Sequence, residues 1–337
     1  MTGMRYLPVL VCSIAILAIG YRQTEAGKIV TFDPPGSTET TPDGINTKGR
    51  VAGDFIDANG KVRSFVRATD GTITVFDVKD DKCGTDASAI NRAEVITGEY
   101  KDGACNAHGF VRAADGTITT FDVPGSTETG AESINDSGAI TGFYNVCSHG
   151  CLQDHGFVRA SDGTITKFDL DGSVETAPYS INNAGVVTGT YEDSSNVWHG
   201  FVRAADGTVT TFDPRTSTGT FPYGINRSGA IAGSYSTPPP ASGYGFLRAS
   251  GGKITTIDPG GASNVEVLAL NDKNAVTGYY VTDTAAPGFV QAADGTYKSF
   301  SPKGAVGTIP ESINDHGAVT GFYWDGNEQE HGFVRTR

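Results

Sequence analysis

Short runs of alternating apolar and polar residues follow one another along almost the whole chain, and each run ends at a turn. The stretch from Ala107 to Tyr144 contains four such runs, AHGFVRAADGTITTFDVPGSTETGAESINDSGAITGFY. Alternation with a period of two predicts half-buried β-strands, and Asp-Gly between two runs predicts a hairpin because glycine supplies the positive φ of the turn. No window carries an apolar stripe of helical period, so we expect helices to be nearly absent.

This group of four strands recurs seven times, and we call each copy a unit. We name its strands by their sequence: A ends in Ile-Asn, B carries Gly and an aromatic residue, C carries Gly-Phe, and D carries Thr-Phe-Asp. The phenylalanine of strand C recurs about every 44 residues, at Phe65, Phe110, Phe157, Phe201, Phe246, Phe289 and Phe333. Four strands at this period are typical of a propeller blade. We therefore predict an all-β fold, a seven-bladed β-propeller of four-stranded antiparallel blades.

The units are expected at residues 41–77, 86–122, 130–170, 177–213, 221–258, 265–301 and 308–336. The seventh unit lacks strand D, whereas residues 28–33 (KIVTFD) form a strand D without the other three strands. We predict that residues 28–33 pair with the C-terminal strand His331–Arg335. This pairing would close the circle and leave no free sheet edge at the seam.

Strand B has glycine between an apolar and an aromatic residue in every unit, as in Ile140-Gly142-Tyr144. Glycine inside a strand costs stability and usually marks a close approach by a neighbouring group. We expect that group to be the phenylalanine of strand C or D.

Residues 1–26 resemble an export signal, with Arg5 before an apolar run and the small residue Ala26 at the end. This predicts a secreted or periplasmic protein. Two alternatives stay open, an uncleaved anchor and a lipid attached to Cys12, although Val11 stands where a small residue should precede a lipid-bearing cysteine. The apolar run is short for a membrane span, so we expect no membrane insertion after signal removal.

The chain carries a net charge of −13 and has no basic stripe. Such a surface repels phosphate backbones and anionic lipids, so binding of nucleic acid is not expected. We expect a monomer.

Four cysteines follow the signal, and an even number in an exported chain suggests disulfides. Cys83 and Cys105 fall in connections on the same side of one unit, and Cys147 and Cys151 share one loop. We predict the pairs 83–105 and 147–151. The alternative, a four-cysteine zinc site, has spacings unlike those of compact zinc fingers.

The loops between strands B and C are long and all different, whereas the other turns are short and uniform. Variable loops on a rigid scaffold commonly bind ligands. On that side, the position two residues before each Ile of Ile-Asn should surround the mouth of the central channel. The residues at this position are Asp43, Ser88, Glu132, Tyr179, Tyr223, Leu268 and Glu311. Its carboxylates and tyrosines could hold a cation or stack a sugar, or they form an ordinary solvated rim.

Two tryptophans in the variable loops, Trp198 and Trp324, could also stack a ligand or simply cap the core. Four histidines precede Gly-Phe in different units, too far apart to share one metal ion. Each is expected to pair with the aspartate that ends the adjacent strand D. The pairs are His108–Asp122, His155–Asp169, His199–Asp213 and His331–Asp33.

Asp-Gly turns such as Asp57–Gly60 lack the spacing of an EF-hand, and turn chemistry explains them. We expect no cofactor, while a Ca²⁺ or other cation between acidic loops stays an open alternative. No motif nominates a nucleophile.

The combination HGFVRA, GTITTFDVPGS and INDSGAITGFY resembles the bacterial extracellular HAF repeat family, named for a His-Ala-Phe that reads His-Gly-Phe here. The resemblance covers residues 28–337 and implies an exported repeat protein, and it carries no established activity. The sixth unit departs most, with Pro287 for His, Gln291 for Arg and Ser301 for Asp.

The leading hypothesis from the sequence is an exported, non-enzymatic binding scaffold that takes a glycan or protein on its loop-bearing face. The first alternative is a propeller hydrolase or lyase that uses a cation at the channel mouth with the carboxylates of Asp43, Glu132 and Glu311. The second is a structural protein of the envelope or matrix.

Overall fold

The computed structural model describes residues 27–146, 153–238, 243–259 and 262–337, and these residues form β-strands and turns without an α-helix. The A strands are β2 (Ser37–Ile45), β6 (Gly84–Ile90), β10 (Glu128–Ile134), β14 (Ser173–Ile181), β18 (Gly219–Ile225), β22 (Ser263–Leu270) and β26 (Gly307–Ile313). The B strands are β3 (Val51–Asp57), β7 (Ile96–Lys101), β11 (Ile140–Asn145), β15 (Val187–Asp193), β19 (Ile231–Ser236), β23 (Val276–Val281) and β27 (Val319–Trp324).

The outer two strands of each unit complete the sheets. The C strands are β4 (Val62–Arg67), β8 (Ala107–Arg112), β12 (His155–Arg159), β16 (Trp198–Arg203), β20 (Tyr244–Arg248), β24 (Gly288–Gln291) and β28 (Glu330–Arg335). The D strands are β1 (Ile29–Phe32), β5 (Ile73–Phe76), β9 (Ile118–Phe121), β13 (Ile165–Phe168), β17 (Val209–Phe212), β21 (Ile254–Ile257) and β25 (Tyr297–Phe300). No helix of the described residues is long and apolar enough to cross a membrane.

Each unit is an antiparallel sheet in the order A-B-C-D. The first two units also touch through one parallel bridge, Val62 to Gly84. Strand β1 supplies the fourth strand of the last unit and pairs with β28 in the register Ile29 to Arg335. The predicted partnership between the two ends of the described chain is therefore observed.

The core lies between neighbouring units, because each sheet buries both of its faces. The phenylalanine of every C strand is fully buried. In six units it meets a phenylalanine from strand D of the preceding unit edge to face, as Phe201 meets Phe168 with ring centroids 6.0 Å apart, and in the sixth unit Phe289 packs in one cluster with Ile257 instead. Arg203 covers the same Phe168 ring, with its guanidinium carbon 4.8 Å from the centroid. Such contacts form only between neighbouring units, so an isolated four-stranded sheet would lack this stabilisation.

The four predicted histidine–aspartate pairs are confirmed. Nδ1 of His108, His155, His199 and His331 lies 2.8–3.0 Å from a carboxylate oxygen of Asp122, Asp169, Asp213 and Asp33, respectively. The last pair joins β28 to the end of β1. The histidines therefore hold strands C and D together at the rim.

The prediction that phenylalanine covers the strand B glycines is wrong. A side chain at Gly142 would overlap the backbone of strand A, at Gly130 and Ala131, and the same holds for the strand B glycines of the other units. The phenylalanine of strand D instead lies over the glycine of strand C, as Phe121 lies over Gly109. The group that approaches strand B is therefore the backbone of strand A, which is locally distorted. This distortion shapes the candidate site.

Candidate functional site

Every A strand contains a β-bulge three residues before its final Asn. The pairing of strands A and B skips one residue in each unit: Asp43, Ser88, Glu132, Tyr179, Tyr223, Leu268 and Glu311. A bulge leaves one residue unpaired and redirects its side chain. The strand B glycine lies opposite the residue before the bulge, as Gly142 lies opposite Ala131. Because this glycine has no side chain, the bulge can press against strand B.

The seven bulge residues line one central cavity of about 670 Å³. These are the residues that the sequence placed around the channel mouth, and the structure brings all seven together. The cavity also contacts Glu99, near the end of β7, where that strand pairs with the beginning of β6. The cavity thus belongs to the side of the sheets where strand A begins and the variable B–C loops lie.

Three carboxylates lie close together at this cavity, and two of them, Asp43 and Asp86, line it. Asp43, Asp54 and Asp86 each place an oxygen within 4.8 Å of the others. Among the described residues no lysine, arginine or histidine forms an ion pair with them, and Oδ2 of Asp43 is buried without a hydrogen-bond partner. Burial, and next the charge of Asp86, raises the pKa of Asp54 to about 8. Burial and the neighbouring carboxylates Asp54 and Asp86 likewise raise the pKa of Asp43 well above its ordinary value.

Two further carboxylates face the cavity from separate bulges. Burial and the charge of Glu99 raise the pKa of Glu132 to about 7, and burial and Glu330 raise that of Glu311 to about 7. Like charges in a site shielded from water disfavour ionisation in this way. The cavity is therefore an acidic one whose carboxyl groups are partly protonated at neutral pH.

The opposite wall carries two tyrosines. The rings of Tyr179 and Tyr223 lie 5.7 Å apart between centroids, at an angle of 40°. Burial raises the pKa of both phenols, which therefore stay neutral and can donate hydrogen bonds. Leu268 completes this side of the cavity. Aromatic faces beside carboxylates offer both stacking and hydrogen-bond acceptors.

Sequence reasoning missed Asp54, Asp86 and Glu99. Asp86 stands two residues before the bulge residue Ser88 on the same strand, and side chains two apart share a face, so this signal was readable. Asp54 and Glu99 follow the glycine of strand B, and their carboxylates reach Asp86 and Gly130 of the next unit. Their approach to a strand A depends on how units pack, which the spacing of one unit does not reveal.

Neither tryptophan lines the cavity. The Trp198 ring packs against Phe221 at 6.4 Å, and the Trp324 ring packs against Phe322 at 5.1 Å and over Gly307. Both rings pack on neighbouring side chains, outside the cavity, and ligand stacking by either tryptophan stays a prediction.

The predicted disulfide Cys83–Cys105 is present and joins residues 22 apart in sequence. It ties the link before β6 to the B–C loop of the second unit. The second predicted pair, Cys147–Cys151, and the export signal at residues 1–26 lie outside the described residues.

The other end of the channel is built from one repeated residue. The Asn that ends each Ile-Asn is buried, donates from Nδ2 to the backbone oxygen of the Asn in the next unit, and accepts two N–H groups of its own turn with Oδ1. The donors run through Asn46, Asn91, Asn135, Asn182, Asn226, Asn271 and Asn314. Asn314 donates to Asn46 at 2.9 Å, so the series returns to its start. We call these seven residues the asparagine ring.

Comparison with solved structures finds the same kind of fold. Virginiamycin B lyase from Staphylococcus aureus, solved as an inactive variant with quinupristin, superposes with a TM-score of 0.61 at 14% identity over 92% of this chain and 99% of the lyase. Puromycin hydrolase superposes with a TM-score of 0.58 at 9% identity over 89% of this chain and 53% of the hydrolase. At these identities the similarity concerns the fold alone. No protein-family model and no curated protein sequence matches the chain.

Proposed function

We propose that this protein is an exported, closed seven-bladed β-propeller of the HAF repeat type that binds a carbohydrate in its central cavity. The asparagine ring and the pairing of β1 with β28 support the closed circle. The Cys83–Cys105 disulfide supports an oxidising compartment outside the cytoplasm. The acidic surface supports a partner other than nucleic acid.

One observation carries the choice of ligand. A cavity of about 670 Å³ places the paired rings of Tyr179 and Tyr223 beside the carboxyl groups of Glu132 and Glu311. Sugar rings have apolar C–H faces that pack on aromatic rings and hydroxyls that donate to carboxylates. A flat protein surface would engage the rim and leave this cavity unfilled, whereas a short oligosaccharide fits inside it.

A glycan array with the full-length chain tests the proposal. We expect binding to a restricted set of glycans, and we expect Tyr179→Ala combined with Tyr223→Ala to reduce it at least tenfold, since both stacking surfaces are lost. Tyr297→Ala is the matched control, because Tyr297 is exposed on β25, away from the cavity. Absence of binding to every glycan, or equal loss in the control, would contradict the proposal and favour a protein ligand or a structural role.

A second function, glycoside cleavage by hydrolysis or elimination, is favoured by the carboxyl groups alone. A carboxyl with a pKa of about 7, as for Glu132 and Glu311, can serve as a general acid at neutral pH. Incubation of each bound glycan with the protein, followed by chromatography, separates this function from binding. Cleavage that Glu132→Gln or Glu311→Gln abolishes without loss of binding would establish it, and intact glycan throughout would exclude it.

A further inference from the structure

We propose that Asp43, Asp54 and Asp86 form a site for a hard divalent cation, calcium or magnesium, on the wall of the central cavity. The three side chains come from β2, β3 and β6, so the site lies where the first and second units meet. This inference goes beyond carbohydrate binding, and either proposal can hold without the other.

Geometry is the first support. One oxygen from each carboxylate lies within 4.8 Å of the other two. Oxygens that coordinate one calcium ion at about 2.3–2.6 Å lie within about 5 Å of one another. The three groups thus need little rearrangement to share one ion. Carboxylates without nitrogen or sulfur ligands suit Ca²⁺ and Mg²⁺ rather than zinc.

The unpaired oxygen of Asp43 is the second support. Oδ2 of Asp43 is buried and has no hydrogen-bond partner among the described residues. A buried acceptor without a partner is costly, and native proteins rarely leave one without a function. Asp43 directs its carboxylate toward the two others, and a bound cation would both pair with this oxygen and offset the repulsion among the three groups.

The third support is that none of the three aspartates forms an ion pair in the described part of the chain. The lysine nearest in the sheet, Lys101, pairs with Glu99 at 3.5 Å. Asp81, in the link before β6, does have an ion-pair partner, Lys61 at 3.1 Å. The three aspartates have no such ion-pair partner among the described residues. Two of them, Asp43 and Asp86, also line the cavity, so water can complete the coordination and ions can enter.

Titration of the chelator-treated, full-length chain with CaCl₂ or MgCl₂ alone tests the site. We expect one saturable binding event per chain by calorimetry for at least one of the two ions. We also expect a rise in Tm of about 5 °C at a hundredfold excess over Kd. No saturable heat and no Tm shift up to 10 mM of either ion (roughly the upper limit for extracellular sites) would overturn the proposal.

Two variants make the test specific. Asp54→Asn and Asp86→Asn each replace a charged ligand with a neutral amide of similar volume, and we expect at least a thirtyfold loss of affinity. Both relieve repulsion between carboxylates, so both should fold without the ion. Glu132→Gln is the matched control, since it removes one charge from the same cavity outside the three ligands, and it should weaken binding less than threefold. Equal losses in all three variants would show diffuse attraction to an acidic cavity and would overturn the site. Glycan binding measured in EDTA reports on the carbohydrate proposal separately.

Discussion

The two ends of the channel are built from the same strands, yet they follow opposite rules. At the turn end every unit contributes the same residue, and the asparagine ring satisfies each of its buried amides. Three residues earlier on the same strands, the bulge position holds acids, tyrosines, a serine and a leucine, and its carboxyl groups form no ion pair within the described part of the chain. Residues repeated in every unit here hold the molecule together. Residues that vary between units, placed by that repeated frame, give the cavity its chemistry.

The strand B glycine makes room for the bulge of strand A, on which the positions of both ends depend. Its substitution should have the largest effect on stability. In Gly189→Ala the new methyl group would overlap the backbone oxygen of Ala177 and the Cα of Pro178, both fixed beside the bulge at Tyr179. Because backbone cannot move aside as a side chain can, we expect a loss of about 4 kcal/mol in the free energy of unfolding. Chemical denaturation measures it.

Gly251→Ala is the control for this prediction. A methyl group at Gly251 meets nothing within 4 Å, and its φ is not positive, so the change should be neutral within about 0.5 kcal/mol. A Gly189→Ala protein as stable as the control would mean that the bulge can relax, and the proposed role of the glycine would be wrong.

Breaking the asparagine ring should have the next largest effect. Asn182 is buried, donates to the backbone oxygen of Asn226, and accepts the N–H groups of Ala184 and Val186. Asn182→Ala removes all three bonds and leaves buried groups unpaired, so we expect a loss of about 3 kcal/mol. Ligand binding in the cavity should persist wherever the variant stays folded.

The neighbouring residue provides a matched comparison. Asn183 is exposed and makes its contacts with the Asp136 turn, so Asn183→Ala should cost less than about 1 kcal/mol. If the two substitutions cost the same, the ring would not be the element that secures this end of the channel.

Sequence patterns predict most of the repeated strand framework and little of the cavity's structure. Strand order, the partnership of β1 with β28, the histidine–aspartate pairs and the Cys83–Cys105 bridge were all predictable, because each depends on a local pattern or on the register of the repeat. The bulge could not be predicted, since its only trace is the strand B glycine, and that pattern is equally typical of packing by a phenylalanine. The contact of Asp54 with Asp86 joins two units, and no single-unit pattern contains it.

Substitution of the cavity carboxylates should change the free energy of unfolding with the opposite sign, and by a smaller amount for each residue. Glu132 and Glu311 have a pKa of about 7 in the folded protein, compared with an ordinary value of 4.5. The folded state therefore holds more protons than the unfolded state between these values, so stability falls as the pH rises through this window, and the loss is complete above about pH 7. Each glutamate then costs about 1–3 kcal/mol.

Glu132→Gln combined with Glu311→Gln should remove that cost. We expect the double variant to unfold at a higher Tm than the wild type at pH 8.5 and at nearly the same Tm at pH 4.5, in chelator throughout. Glu328→Gln, which changes an exposed acid outside the cavity, should follow the wild type at both pH values. A double variant that is less stable than the wild type at pH 8.5 would mean that these carboxylates support the fold. The contrast between an asparagine ring that stabilises the fold and cavity carboxylates that destabilise it would then be wrong.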